Sequence, residues 1–378
     1  MTQVVKETIY TNYFKEFIAN ENNGELKNLR EKAFEFFTEN GFPTPQNEEW
    51  KYTNVKPISD LGFRIWDLKS SDGVNEFLKQ FNFERNGFTA LNLAFANVVL
   101  VTIPKETSVE KPIEFNFNAE ENSANFPHII VVAEAGSKAT IIENYESSAE
   151  SFTNTAIQIF VAENANLTHY RVQKESAEAF HIGTTEITLK RGSLYNSTNI
   201  NLGAKLSRHD IHLKFTEEGG EAFVDGLYML SGEQHHDTHS EIDHALPNCV
   251  SHQTYKGVLN DKSRGVFNGK VFVRENASGT DAQQSNKNLL LSNDARVDTK
   301  PQLEIFNDDV KCSHGATVGQ LEDEELFYLL SRGLNESLAK NLLTYGFAEE
   351  IVNKIEIESI KKELDEAVLN RLNTSLEA

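Results

Sequence analysis

Cysteine is nearly absent from this sequence of 378 residues, which contains only Cys249 and Cys312. Two cysteines cannot form a disulfide framework, and such low usage is typical of a reducing compartment. Long apolar runs are absent as well, since none approaches the ~20 residues that are needed to span a bilayer. The first residues, Met1 to Lys6, contain no apolar signal core. These absences predict a cytoplasmic protein that does not insert into membranes.

Positive charge is scarce. The chain has 36 Lys and Arg residues against 57 Asp and Glu residues, which gives a formal net charge of −21. This excess of acid repels phosphate backbones, so we expect no nucleic-acid partner. The Gly-x-x-x-x-Gly-Lys loop, the Gly-x-Ser-x-Gly elbow and the Cys-x-x-Cys pair are also missing. We therefore expect no ATP hydrolysis by this chain alone and find no reason to expect an enzyme.

Alternation of apolar and polar residues characterises the middle of the chain. The runs Glu186–Lys190 and Ile211–Phe215 have the period of two that is typical of half-buried strands. Gly and Asn, which tolerate the positive φ of tight turns, recur every 28 residues at Gly136, Asn164, Gly192 and Gly220, and Asn248 and Asn276 continue the series. A fixed period of strand–turn–strand units predicts a solenoid-like β architecture. A β-sandwich is the alternative.

Helical periodicity flanks this β region on both sides. Helices are predicted over residues 12–19, 25–40, 323–332, a segment capped by Asn335, and residues 357–372. The predicted domains are a largely helical region at 1–110, a β core at 111–320 and a helical domain at 321–378. The aromatic cluster Trp50-Lys51-Tyr52-Thr53 is interpreted as a packing element. The C-terminal helices either cap the core or dock to a partner.

A histidine-rich segment, Gln234–His244, suggests a metal site, because imidazole and carboxylate ligands suit zinc or iron. Its candidate ligands are His235, His236, His239 and His244. Thr238, Ser240 and Ile242 favour a strand, however, and a strand would place successive ligands on opposite faces. The spacing also differs from the helical His-Glu-x-x-His motif. We expect polar residues on the outward face of a β rung rather than a metal site.

The segment Asn307–Thr317 contains Cys312 two residues before His314. Cys and His are ligands that iron and zinc prefer, but two ligands cannot complete a metal site. The pair is therefore interpreted either as half of a shared site or as a structural pair. Cys249 is predicted to be a core residue.

Several blocks of sequence resemble the SufB/SufD family of iron–sulfur cluster assembly proteins. The strongest agreement lies between Asp237 and Phe347. The blocks are Trp50–Thr53, Tyr255–Leu259, Arg264–Val271, Asn288–Ser292, Val297–Ile305, Asp309–Thr317, Phe327–Leu329 and Ser331–Gly333. Within the family the chain is more similar to SufD than to SufB, because the essential cysteine of SufB falls in the region matching Leu289–Pro301, where this chain has none.

The resemblance implies a right-handed parallel β-helix flanked by helical N- and C-terminal regions. It implies pairing with a SufB-like paralogue through the β-helices and docking of a SufC-like ATPase, which uses ATP, on the C-terminal helices. It implies that Cys312 and His314 lie at the SufB–SufD interface, where either residue could transiently ligate a nascent cluster. The positive charge of Lys311 could favour the Cys312 thiolate.

The expected function is that of a non-catalytic scaffold subunit of a SufB–SufC–SufD-type complex. We expect no tightly bound cofactor and no metal in the isolated chain, which could also form a homodimer. The alternative is a histidine-liganded metalloenzyme on a β-helix or cupin-like core.

Overall fold

The computed structural model describes residues 9–19, 21, 24–59, 64–65 and 73–371 of the chain. The strands are β1 Arg64–Ile65, β2 Asn97–Ile103, β3 Ile113–Ala119, β4 Ser123–Asn125, β5 Pro127–Ala133, β6 Lys138–Ser147, β7 Phe152–Val161, β8 Asn166–Lys174, β9 Phe180–Leu189, β10 Leu194–Asn201, β11 Leu206–Phe215, β12 Glu221–Leu230, β13 His235–His244, β14 Val250–Leu259, β15 Arg264–Val273, β16 Thr280–Leu290, β17 Arg296–Ile305 and β18 Val310–Gly319.

Helices lie before and after these strands. They are α1 Ile9–Ala19, α2 Gly24–Asn40, α3 Lys56–Ser59, α4 Asn75–Leu78, α5 Gly87–Phe95, α6 Asp323–Ser331, α7 Glu336–Val352 and α8 Glu358–Arg371, with 3-10 turns at Glu48–Trp50 and Phe83–Arg85. Leu372, the predicted end of the last helix, lies outside the described residues. Among the described residues, no helix combines the length and the apolar character that crossing a bilayer requires. The domain boundaries at 110 and 320 stay a prediction.

From β6 onward, successive strands alternate between two parallel sheets. Sheet I runs in the order β1-β4-β7-β9-β11-β13-β15-β17, with β5 also paired to β7 and β2 paired to β5, and sheet II runs from β3 through β6 and the later even-numbered strands to β18. Every pairing is parallel, and each strand pairs with the strand one turn further along the chain. This is the topology of a parallel β-helix, so the solenoid prediction is confirmed and the β-sandwich is wrong. Its handedness stays a prediction.

One corner of the β-helix is a stack of residues with left-handed backbone conformation. Gly136, Asn164, Gly192 and Asn248 have φ between 56° and 66°, as the 28-residue period predicted. The period fails at two turns, where Gly219 rather than Gly220 and Gly279 rather than Asn276 have positive φ. The cause is rung length: residues stacked on neighbouring rungs are 28 apart at Asn116 and Asn144, 27 apart at Leu194 and Glu221, and 31 apart at Gln253 and Gln284.

The interior of the β-helix is filled by the inward face of each strand. Ile, Val, Leu and Phe side chains stack from rung to rung in one cluster that includes Ile141, Leu167, Ile211 and Phe267. Outer faces are covered as well. Aromatic residues of α1, α2 and α5 pack against sheet I, and α7 and α8 cover sheet II through Ile351, Val352, Leu364 and Val368. The C-terminal helices therefore cover the side of the core and leave its end open.

Buried histidines make the stability of this fold sensitive to acid. Burial lowers the pKa of His128 and His244 to about 4 and that of His236 to about 3. These groups are neutral in the folded protein and take up a proton near pH 6.5 when unfolded, so the unfolded state binds more protons below that pH. Their stabilising contribution is present above pH 6.5 and is lost as the pH falls toward 4.

We expect the free energy of unfolding to fall between pH 6.5 and 4 by roughly 1.4 kcal/mol per pH unit for each such histidine. Urea titrations at a series of pH values measure this slope. Replacing the fully buried His244 by Gln should reduce the slope, whereas replacing the exposed Ser313 by Ala should leave it unchanged because this change removes no titratable group. An equal effect of both substitutions would contradict this origin of the pH dependence.

Glycine on the inward face makes room for tyrosine rings of neighbouring rungs. A Cβ atom added at Gly257 would lie 2.3 Å from the ring of Tyr228, and one at Gly226 would lie 2.2 Å from the ring of Tyr255. Because both tyrosines are buried, their rings have no space into which to move. We expect Gly257→Ala to lower the free energy of unfolding by about 1–3 kcal/mol. Gly315→Ala is the matched control in urea denaturation, since a Cβ atom added there would meet nothing within 4 Å; an equal loss in both variants would refute the steric explanation.

Candidate functional site

Cys312 and His314 lie on β18, the last strand of sheet II. In the parallel register Cys312 pairs with Ala282 and His314 pairs with Gln284, and both of these partners are buried inside the β-helix. Because alternate residues of a strand share a face, the two candidate ligands continue the inner face of the solenoid. They lie at its open end, where Cys312 is partly buried and His314 is exposed.

We call β17 and β18 the terminal rung. Each is the last strand of its sheet, so in the part of the chain that the structure describes one backbone edge of each has no neighbouring strand. The inner faces of earlier rungs are buried, whereas β17 and β18 are partly or fully exposed along their whole length. Ile305, Phe306 and Val318 are 41%, 57% and 48% exposed. Unpaired edges with exposed apolar side chains favour pairing with another chain.

The chemistry of the Cys312 thiol follows from its partial burial. Desolvation raises the pKa of Cys312, although the backbone of Ala282 hydrogen-bonds the sulfur and opposes this rise. Lys311 lies on the opposite face of the strand, in register with Asp281. The prediction that Lys311 favours the thiolate is therefore wrong in this arrangement, because the strand alternation directs its ammonium group away. A bound metal ion would favour loss of the thiol proton.

The histidine-rich segment forms strand β13, so successive ligands lie on opposite faces. His236 and His244 are buried inside the β-helix, and His239 lies on the outer face. The prediction that these side chains form a polar outward surface is wrong for His236 and His244, and His239 is covered by the segment around Trp50. Within the described ranges, no group of three or more His, Cys, Asp or Glu side chains is placed to hold a metal ion.

The aromatic segment around Trp50 packs over the outer face of β11 and β13. The guanidinium of Arg208 lies 3.8 Å from the Trp50 ring centroid and donates hydrogen bonds to Asp210 and Asp237. Thr53 hydrogen-bonds to Asp237 and to His235. These contacts engage His235 and Asp237, two polar side chains on the outer face of β13. The packing interpretation of the segment is confirmed.

A cleft of about 170 Å³ opens beside this cluster, between the N-terminal region and sheet I. Two of its basic residues already have acidic partners, since Arg85 pairs with Glu186 and Arg208 pairs with Asp210. The cleft therefore presents balanced charge rather than a site for one class of ion.

Cys249 is fully buried in the interior cluster, and desolvation raises the pKa of its thiol. The prediction of a core residue is confirmed.

Helix α6 presents a second exposed apolar surface. Phe327, Tyr328 and Leu330 are 72%, 56% and 37% exposed, and Asp323, Glu324 and Glu325 form the first turn of the same helix. An apolar surface beside an acidic helix terminus is suited to a partner with apolar and basic residues.

Two features of the site were not predicted from sequence. Gln284 in β16 and Thr299 in β17, near the open end, each have a buried polar atom without a hydrogen-bond partner among the described residues. The exposure of the terminal rung was also not predicted, because β17 and β18 alternate in sequence as the interior strands do. The signal that could have identified it is the change from strands to helices after Gly319.

Comparison with known proteins agrees with this architecture. Residues 115–347 match the family model described as SUF system FeS cluster assembly, SufBD core domain, and residues 5–77 match the SufBD protein N-terminal region. Because the core model alone covers more than half of the chain, the match identifies the family.

Named relatives agree with the match. The iron–sulfur cluster assembly SufBD family protein slr0076 of Synechocystis is 37% identical over 346 residues, which cover 87% of this chain and 76% of the relative. SufD of Escherichia coli is 38% identical over 67% of this chain and 60% of its own length. SufD of Bacillus subtilis is 29% identical over 81% of this chain and 73% of its own length. The chain therefore belongs to the SufBD family of the SUF system for iron–sulfur cluster assembly, with SufD proteins among its relatives.

Proposed function

We propose that this chain is a non-catalytic scaffold subunit that contributes Cys312 and His314 to a cluster-assembly site shared with a SufB-like paralogue. The observation that carries the proposal is the position of these two ligands on the inner face of an uncovered terminal rung. Two ligands are an incomplete set, and a second β-helix placed end to end could supply the others. The iron–sulfur cluster is cargo that the shared site holds transiently.

The terminal rung supports pairing through strand edges. A paralogue with the same fold offers an equivalent edge, so backbone hydrogen bonds could continue from β17 and β18 into the partner. Ile305, Phe306 and Val318 would be buried by this pairing. The same surface could pair two copies of the isolated chain as a homodimer.

The exposed surface of α6 is the proposed docking site for a SufC-like ATPase. Phe327 and Tyr328 would supply the apolar contact, and the acidic first turn of α6 would select a basic partner surface. ATP would be used by that partner. Its dimerisation on ATP could then shift the paralogue interface between closed and open states, because α6 follows β18 after only a short connection. The complex is proposed to act in the cytoplasm.

Removing either ligand should reduce cluster assembly. We expect Cys312→Ala and His314→Ala, reconstituted with a SufB-type subunit and a SufC-type ATPase, to require at least about 10-fold more iron for half-maximal cluster formation. Visible absorption and iron analysis of the purified complex measure the cluster. Ser313→Ala is the matched control, because Ser313 lies between the two ligands on the opposite face of β18. Unchanged iron dependence in both ligand variants would remove the pair from the mechanism.

Two charge substitutions should separate the two partner surfaces. Val318→Asp should weaken binding to the paralogue about 10-fold or more, since burial of a valine contributes roughly 1.5 kcal/mol. Phe327→Asp should weaken ATPase binding by at least as much and leave paralogue binding unchanged. Biolayer interferometry with each purified partner measures both affinities, and each variant serves as the control for the other. If either substitution weakened both interactions equally, the assignment of two separate surfaces would be wrong.

A further inference from the structure

Gln284 is a buried residue one rung inside His314. Its side chain is only 3% exposed, and it is the register partner of His314 in the β16–β18 pairing. Neighbouring strands lie about 4.8 Å apart, so paired side chains on the same face are close enough to interact. The Gln284 Oε1 atom is buried, and among the described residues none donates a hydrogen bond to it. A buried, unpartnered amide oxygen is costly, and this one lies next to a candidate ligand.

The orientation of the Gln284 amide follows from its other contacts. Its Nε2 donates to Gln253 Oε1 at 2.7 Å, and Gln253 lies on β14, the strand further from the open end. The oxygen of Gln253 also accepts from Ser240 at 3.1 Å. Because the nitrogen and oxygen of an amide diverge from one carbon atom, the Gln284 oxygen is directed away from the Gln253 amide on β14.

Gly269 makes room for this amide. A Cβ atom at Gly269 would lie 2.2 Å from Gln284 Nε2 and 2.7 Å from its Cδ atom. The Gln284 amide therefore fits only because residue 269 is glycine, since any side chain at this position would occupy the same space. Ser240, Gln253 and Gly269 together determine where the amide oxygen lies.

We infer that Gln284 is a positioning residue for His314: when the shared site forms, the imidazole donates one ring N–H to the Gln284 amide oxygen and presents its other nitrogen to the shared site. Histidines that ligate metals commonly donate the second ring N–H to an oxygen acceptor, which fixes the ring and its tautomer. The inference rests on the proposed function of His314. It assigns a role to a residue that touches neither the cluster nor the partner.

The test is a double-mutant cycle in the complex reconstituted with a SufB-type subunit and a SufC-type ATPase. The variants are Gln284→Leu, His314→Ala, the double variant, Gln284→Glu and Gln283→Leu. Gln284→Glu retains an acceptor oxygen, and Gln283 is the matched control because it is exposed on the other face of β16. The iron concentration for half-maximal cluster formation and the thermal midpoint of the isolated chain are measured for each.

We expect Gln284→Leu to raise the half-saturating iron concentration about 10-fold, Gln284→Glu to restore most of the loss and Gln283→Leu to have no effect. In the His314→Ala background, Gln284→Leu should add nothing, because it acts through the imidazole. A Gln284→Leu effect that persists without His314, or that follows the thermal midpoint and is not rescued by Glu, would overturn the inference in favour of a purely structural role.

Failure of the inference and failure of the proposed function give different patterns. If His314→Ala raises the iron requirement and Gln284→Leu does not, only the positioning role is wrong. If His314→Ala itself has no effect, the proposed function of His314 is wrong, and the inference is overturned with it. If Gln284→Leu does not fold, Gln284→Glu and Gly269→Ala replace it in the comparison. Gly269→Ala displaces the same amide, so an unchanged iron requirement in the folded Gly269→Ala protein would overturn the inference.

Discussion

The parallel register between successive rungs is the constraint on which this structure depends. Each strand hydrogen-bonds to the strand one turn further along the chain, so each inward side chain rests on the residue above and the residue below it. This repetition buries apolar residues along the whole axis without a central helix or a long-range crossover. It also means that the last rung has a neighbour on one side only. The exposed edges of β17 and β18 follow directly from the way the rest of the β-helix is built.

The same register determines which polar groups can be accommodated inside. His169 is buried against Glu143 and Tyr195, and His181 is buried against Glu175 and Arg171. Glu143 and Tyr195 lie on the two rungs next to that of His169, so these hydrogen bonds exist only when the register is correct. Glu175 and Arg171 lie on the same rung as His181. A slip of one residue would separate Glu143 from His169, and an unpaired buried charge is costly. The interior polar groups therefore oppose register errors that apolar stacking alone would tolerate.

An open terminal rung explains how a chain with few chemical motifs can take part in cluster assembly. Cys312 and His314 are two candidate ligands on the exposed inner face of β18, whereas the inner faces of earlier rungs are buried. The cluster is proposed to form where a second β-helix completes both the backbone pairing and the ligand set. In this proposal, the exposure of the candidate ligands and the incompleteness of the set have the same physical origin. The acidic, apolar surface of α6 follows β18 after a short connection, and we propose that this connection couples the two surfaces.

Much of the fold could be predicted from local sequence. Alternation over Glu186–Lys190 and Ile211–Phe215 identified strands, because the side-chain period of a strand is a local property. The 28-residue recurrence identified Gly136, Asn164 and Gly192, because a left-handed turn restricts residue type at a single position. Prediction failed at Gly219 and Gly279, where rung length changes and depends on how the neighbouring rung packs.

The candidate site, like the fold, could be predicted from the sequence only in part. Cys312 and His314 could be selected from the sequence, since their ligand chemistry belongs to the residues themselves and the surrounding block resembles the SufB/SufD family. Burial of the β13 histidines could not, because it depends on which face of β13 points into the β-helix, for His236 and His244, and on where the Trp50 segment packs, for His239. The role inferred for Gln284 likewise depends on contacts between neighbouring strands, which the sequence does not give. Residue identity and spacing determined the repeating strands and the candidate ligands. Only the tertiary structure decided which inner face stays uncovered and which buried amide lies beneath it, because both depend on contacts between residues about 30 positions apart.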